Sequence, residues 1–375
     1  MAIVMMSDVV QKVVQSLDQV MTENSLGKPY LSSHNYRAQE FNRSFFKPIK
    51  IVDSKRRLAF VDGGNQELVG APNFSIQVNR VCFNLFEGRK RIHDENIPHK
   101  IEFFSATFAV FKDEKIFYET SIFPVASTFS ALVPNEDDLS FDSTDRRLMV
   151  GTARADIARV ASIARRFAEW TFARQVVANW LEEGDVLVMD GTLRTAFQNE
   201  SKYAKEAFRI ARSKGVIYSG FAKTSRLLTT TGLSLIGALQ KLAADAKAGP
   251  IWHYYPIAES LSPEHEGSIF IVKLNENSNR IYRYEIQAEQ AKRLEADQLN
   301  EVLSQLALNS VDASFPGYPY GLMDVDANAR VRYDEVETYR IMFLSEISKM
   351  GSWPKFLRHM QADDAHTVLN SLRGV

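Results

Sequence analysis

The sequence predicts an α/β protein: a mixed sheet flanked by helices, with additional helical and β elements on its C-terminal side. Three observations predict it. Residues 74–125 hold three β-rich stretches, and alternation such as Phe74, Ile76, Val78 against Ser75, Gln77, Asn79 marks antiparallel strands with one wetter face. Two apolar runs, 186–192 and 215–224, are separated by a helical stretch, the order that a partly parallel sheet requires. Ahead of them, Ile157, Val160, Ala164, Phe167 and Trp170 recur at helical spacing.

The elements follow in order. Met6, Val9, Val10, Val13, Val14, Leu17 and Val20 give residues 6–20 an apolar stripe at helical period. That stripe either packs on the core or meets a second copy or a partner. Residues 22–50 form a polar connector, and Arg57 to Gly64 reads as a short apolar strand ended by Asp62 and a sharp glycine turn. Strands are expected at 74–86, 101–111 and 115–125, and the acidic stretch 134–146 reads as a loop. One long helix is expected from about 152 to 183, stopped by Gly184. Then come the strand 186–192, the helix 202–214 and the strand 215–224. Beyond them are a helix at 232–246, strands at 268–274 and 280–286, a helix at 287–308, and a final long helix after Pro316 to Tyr320. No internal repeat or low-complexity tract interrupts this order.

Composition excludes several classes. The chain has 375 residues, 45% of them hydrophobic, enough for a sizeable core. Only 18 Gly and 12 Pro argue against disordered and collagen-like chains. Forty-five Lys and Arg against 46 Asp and Glu give a net charge of −1, so a broad basic nucleic-acid coat is absent, although a narrow basic groove is not. Lys47, Lys50, Lys55, Arg56, Arg57 and the set Arg89, Lys90, Arg91 could line one. A lone cysteine, Cys82, rules out an intramolecular disulfide or a cysteine zinc cluster and suits a reducing cytoplasm. The first residues lack a basic leader pattern, and no run of 18 apolar residues exists, so no membrane span is expected.

Two apolar strands end in Asp-Gly, at Asp62-Gly63 and Asp190-Gly191. One such ending is ordinary turn chemistry. Two, on strands that the element order can bring side by side, would crowd carboxylates that repel and call for a cation. Oxygen ligands with no nearby His or Cys favour Mg²⁺ or Mn²⁺ over zinc. Glu169, on the helix before the Asp190 strand, is a candidate third acid, although pairing with Arg165 or Arg166 on its own helix explains it equally. Asp324 and Asp326 are competing candidates for a fourth, and either could instead serve a helix N-terminus. Lys223, closing the third strand, could neutralise phosphate charge, or could simply be an exposed strand-end lysine. The stretch Val188 to Leu193 is similar to the Asp-x-Asp-Gly-Thr box of haloacid-dehalogenase-type phosphatases, but Val188 stands where their nucleophile must be. No Walker lysine loop, His-Glu-x-x-His or nucleophile elbow is present.

Phe60-Val-Asp-Gly-Gly64, Val188-Met-Asp-Gly-Thr-Leu193, Ala222-Lys-Thr-Ser225 and Gly317-Tyr-Pro-Tyr-Gly-Leu-Met-Asp-Val-Asp326, in that order, resemble the NurA nuclease family across about residues 50–345. The resemblance implies a ribonuclease-H-like core at about 55–225 within a nuclease domain at 51–345. An N-terminal helix and connector (1–50) would precede it and a helical tail (346–375) would follow. It also implies a Mn²⁺-dependent (or Mg²⁺-dependent) DNA nuclease with two ions, usually a homodimer, acting with a hexameric HerA-type ATPase on DNA ends. Matched by motif, Asp62, Asp190, Glu169 and Asp326 would hold metal, and Lys223 would join them as a catalytic residue. The sequence departs from the family pattern at Gly64, where serine is commoner, and at Gly321, where a second proline is usual. A nuclease fold that only binds DNA or scaffolds the ATPase is the alternative reading.

Overall fold

Leu58, Phe60, Val186 and Val188 are buried against one side of the sheet, and Ala59, Val61, Leu187 and Met189 against the other. Strands this continuously apolar belong between two layers of helix, and a computed structural model has that architecture. It describes residues 2–21, 25–31, 34–93 and 98–360.

Strands Arg57–Ala71 and Phe74–Glu87 form a long antiparallel hairpin, with Asp62 opposite Cys82. From the second of these the sheet runs on antiparallel through Lys100–Lys112, Lys115–Pro124 and Ser140–Asp142. On the other flank Arg57–Ala71 pairs in parallel with Val186–Asp190, which pairs in parallel with Ile217–Ala222. Five antiparallel strands beside two parallel ones make the mixed sheet that the sequence predicts. Tyr282–Gln287, Gly267–Lys273, Trp252–Tyr254 and Phe46–Pro48 extend the sheet, which counts twelve strands among the described residues. Helices Ile163–Trp180 and Glu200–Lys214 cover one face through Phe167, Trp170, Phe172 and Phe208. Helices Ala296–Asn309 and Tyr320–Ala329 cover the other through Val302, Leu306, Leu322 and Val325.

Several boundaries differ from expectation, each for a local reason. The Arg57 strand does not stop at the glycines. It continues to Ala71, because Gly63 and Gly64 serve close approach of neighbouring elements rather than a turn. The expected 152–183 helix starts later, at Ile157, where the Asp156 side chain accepts from the backbone N–H groups of Ala158 and Arg159. It is interrupted at Ser162, whose hydroxyl donates back to the Arg159 carbonyl. The expected 287–308 helix divides into Ala288–Arg293 and Ala296–Asn309, the second begun by the Gln298 side chain accepting from the Glu295 N–H. The last helix divides likewise into Tyr320–Ala329 and Tyr333–Lys349, where Glu335 accepts from the Arg332 N–H. The 22–50 connector supplies short strands at Pro29–Tyr30, Tyr36–Ala38 and Phe46–Pro48, and the acidic loop supplies Ser140–Asp142.

The N-terminal stretch is helical over Ala2–Met21. Its stripe is not core: Met6, Val9, Val10, Val13, Val14 and Leu17 are 50–66% exposed. Val20 lies outside the residues whose side chains are described, as do residues 361–375 of the tail. Among the described residues no helix is long and apolar enough to cross a membrane.

Candidate metal centre

The parallel ladder between Arg57–Ala71 and Val186–Asp190 ends at the pair Val61 and Met189. The next residues along the two strands are Asp62 and Asp190. Both follow the alternation of Phe60 and Val188, so both lie on the sheet face covered by helix Tyr320–Ala329. That helix contributes Asp326. Carboxylate oxygens of Asp62, Asp190 and Asp326 all lie within 4.8 Å of one another. Lys223, one residue beyond strand Ile217–Ala222, spans the group, its Nζ 2.7 Å from Asp190 Oδ2 and 2.6 Å from Asp326 Oδ1.

Glu169 arrives from the opposite helical layer. It is buried on helix Ile163–Trp180 and pairs with Arg165 on its own helix. A Cβ on Gly63 would come within 2.6 Å of Glu169 Oε1, so glycine there lets the carboxylate lie against the strand beside Asp62. Glu169 therefore stands behind the three aspartates and is not one of the clustered three. Asp324 is separated from the cluster. It accepts from Asn84 Nδ2 at 2.8 Å and from Arg91 at 3.1 Å, whereas Asp326, two residues on, faces Lys223.

Helix Tyr320–Ala329 reaches the site only because two side chains are missing. A Cβ on Gly321 would overlap the Phe60 ring, and a Cβ on Gly64 would overlap the Ala329 carbonyl. The two positions where this chain departs from the family motifs thus lie at one contact, between that helix and the strand carrying Asp62.

The electrostatics are those of a crowded acid site. Burial, with Asp190 and Glu169 adding, pushes the Asp62 carboxyl up to about 8, against the pull of Lys223. Burial also raises Glu169, opposed by Arg165 and Arg166. Burial works against the charge on Lys223, but the hydrogen bonds it donates to Asp190 and Asp326 hold it above its ordinary value. The sequence does not single out Tyr318 as a site residue, although Tyr318 lies within the Tyr-Pro motif. Its buried hydroxyl has no hydrogen-bond partner, and burial together with Asp190, Asp62 and Asp326 raises its pKa. An orphaned phenol beside three carboxylates is the kind of buried polar group that awaits a ligand. Val188 is fully buried in the core, so it has no part in the chemistry.

The donor set can be tested against a metal. Three carboxylates from two parallel strands and one helix offer oxygen only, and no His or Cys joins them among the described residues. Such donors fit a hard divalent cation, and a cation would offset the repulsion that pushes Asp62 up.

A family model of the NurA domain matches residues 56–331. The crystal structure of the NurA nuclease from Sulfolobus solfataricus is similar at 12% identity and a TM-score of 0.47, covering 93% of this chain and 96% of that one. Ciona intestinalis endonuclease V, in complex with a 24mer DNA containing an inosine followed by a ribo-adenosine, aligns at 9% identity and a TM-score of 0.35, covering 73% and 84%. No curated protein matches the chain. The matched span runs from before Asp62 to past Asp326, enclosing every element that builds the acid cluster, and the chain belongs to the NurA nuclease family.

Proposed function

We propose that the protein is a Mn²⁺- or Mg²⁺-dependent deoxyribonuclease of the cytoplasm that hydrolyses phosphodiester bonds at DNA ends, as a homodimer working with a hexameric HerA-type ATPase. The observation that carries the reading is the convergence of Asp62, Asp190 and Asp326 within 4.8 Å, bridged by Lys223, in a chain of a nuclease family. These three aspartates would hold the metal, with Glu169 behind Asp62. Metal bound there, as one ion or two, would polarise the scissile phosphate and acidify the attacking water.

The protein's own groups do the rest. Lys223 would turn from the two aspartates it now bridges to a phosphate oxygen, a preset positive charge aimed at charge that grows in the transition state. Tyr318 would donate its unpaired hydroxyl to the phosphate or to the water. Arg165 neutralises Glu169 and also donates to the Gly63 carbonyl at 3.1 Å, holding the backbone next to Asp62. A net charge of −1 supplies little hold on long duplex, which is the reason to expect a translocating partner.

The test is cleavage of plasmid and labelled oligonucleotides with Mn²⁺, Mg²⁺, Ca²⁺ or Zn²⁺ against EDTA, beside the Asp190→Asn variant. Cleavage with Mn²⁺ or Mg²⁺ that disappears in EDTA and in the variant supports the reading. Cleavage with Zn²⁺ alone, or equal cleavage by the variant, overturns the metal assignment. No cleavage under any condition leaves a DNA-binding or scaffolding subunit.

A further inference from the structure

Two polar clefts flank the acid cluster. One, of about 560 Å³, is lined by Arg80, Arg91, Arg330 and Arg332. Its arginines are already neutralised: Arg80 by Glu102 and Glu335, Arg91 by Asp324, Arg330 by Asp326 and Arg332 by Asp334. The other cleft, of about 490 Å³, is different. Tyr30, Tyr36, Thr192, Arg194, Arg226 and Arg283 line it, and among the described residues no carboxylate does. Among the described residues the only ion pair of these arginines joins Arg283 to Glu285, leaving Arg194 and Arg226 exposed and unneutralised.

The cleft adjoins the candidate catalytic groups. Thr192 and Arg194 lie two and four residues beyond Asp190, and Arg226 lies three beyond Lys223. Arg283 pairs in register with Ala222, the residue before Lys223. The floor is rigidly built. Buried Glu285 accepts from the Leu193 N–H at 2.8 Å and from Arg283 Nε at 2.6 Å, and lies 2.9 Å from His265 Nε2. His265 Nδ1 is in turn 2.9 Å from the Tyr36 hydroxyl. One carboxylate thereby fixes a guanidinium, an aromatic ring and the chain leaving Asp190. Nothing in the cluster itself needs that arrangement.

We propose that this cleft holds the nucleotide adjoining the scissile phosphate on the DNA strand being cut. Arg194 and Arg226 grip its phosphodiester, and the Tyr30 and Tyr36 rings lie against its sugar or base. Guanidinium groups match phosphate oxygens in a two-pronged fashion, and tyrosine faces accept any base. The volume falls within the range of about 300–1,000 Å³ typical of small-ligand sites, so it admits a single nucleotide. Backbone grip and stacking do not read base edges, so the subsite is indifferent to sequence.

The inference rests on the nuclease reading, and binding measured apart from cleavage separates the two. Binding of fluorescent oligothymidylate to the full chain is followed by anisotropy in an Asp62→Asn background across a salt series. Arg194→Ala with Arg226→Ala is expected to weaken binding by more than about tenfold. It should also flatten the slope of log affinity against log salt by about 0.7, the value for one phosphate neutralised on a single strand. In the active background KM should rise while kcat stays within about threefold. Lysine at both positions should restore the salt slope but only part of the affinity. Tyr30→Ala should weaken binding at least about fivefold with the slope unchanged. Both arginines are exposed, so the variants keep the fold. Affinity and slope unchanged in the double alanine variant overturn the subsite even if the wild type cleaves. A wild type that binds through these arginines yet cleaves nothing overturns the nuclease reading and leaves the subsite standing.

Discussion

Asp62 is buried and faces Asp190, Asp326 and, from behind, Glu169, and with no cation present this arrangement opposes ionisation. Its carboxyl therefore detracts from the stability of the metal-free fold at neutral pH. Asparagine keeps the shape, keeps an oxygen to accept from the Gly63 N–H now bonded at 2.7 Å, and removes the repulsion. Asp62→Asn and Asp190→Asn should therefore unfold at the same or a higher temperature than the wild type in EDTA. Both should lose cleavage. Groups that merely orient metal ligands are worth about 10–100-fold in activity, so loss of a ligand should exceed that. Thermal unfolding with EDTA and with Mn²⁺ checks both halves. Mn²⁺ should raise the midpoint of the wild type and not of the variants, because a ligand of the native state adds stability only where its site survives. Substantial Mn²⁺-dependent cleavage by either variant would contradict the assignment.

Helix Tyr320–Ala329 delivers Asp326 at the depth that Gly64 and Gly321 permit. Gly64→Ser would push a Cβ into the Ala329 carbonyl, where backbone on both sides limits relaxation. Overpacking of this kind typically costs about 1–3 kcal/mol. The variant should lose that much by urea denaturation, with cleavage reduced as Asp326 is displaced; unchanged stability would mean that the helix is free to shift. Strand Tyr282–Gln287 carries a second marginal group, Glu285. Burial opposes its ionisation, but Arg283, His265 and the Leu193 N–H outweigh burial and hold it at about 2. A lowered carboxylate lends stability that is complete above its unfolded value near 4.5 and is lost as pH falls through about 2. Between pH 5 and 3 the wild type should therefore lose stability more steeply than Glu285→Gln, as urea midpoints will reveal. Much of this element-level logic was legible in the sequence. Asp62 and Asp190 could be set side by side because both close apolar runs on strands expected to be neighbours. The turn expected after Asp62 was not real, because a glycine pair reads alike whether it bends a strand or admits a neighbour, and only tertiary contact tells the two apart. Of the two arginines that its helix offers, Glu169 pairs with Arg165, and its approach from the far face of the sheet depends on packing that no local pattern encodes. The cleft of Arg194, Arg226 and Arg283 was invisible for the same reason: its arginines come from three separate segments, joined only by the sheet.

Over the whole molecule, the near balance of charge is used up unevenly. Arg56 and Arg57, expected to line a DNA groove, instead pair with Glu301 and Asp185 at the start of their strand, roughly five residues or about 17 Å from Asp62. Arg194 and Arg226, exposed and without a carboxylate partner among the described residues, lie in the cleft beside the acid cluster. The N-terminal helix is the element whose packing is incomplete. Met6, Val9, Val10, Val13, Val14 and Leu17 are all at least half exposed, and a helix in a protein draws most of its stability from packing its apolar face. Covering the exposed half of six such side chains on each of two copies, at about 1.5–3 kcal/mol for a whole side chain, would contribute about 9–18 kcal/mol, of the same order as an association cost of about 4–15 kcal/mol. That comparison favours a stable pairing of the stripe with its copy in a second chain. Light scattering should therefore find a dimer, and Val9→Glu with Val13→Glu should yield a monomer whose main thermal transition is unmoved, since neither residue touches the core. Cleavage of short single strands should survive in that monomer, because the acid cluster and its arginine cleft lie within one chain. Digestion of long duplex with ATP and the ring ATPase should fall, because a divided dimer cannot face a closed ring with both of its sites. A wild-type monomer, or a charged variant that still dimerises, would show that the stripe serves some other contact.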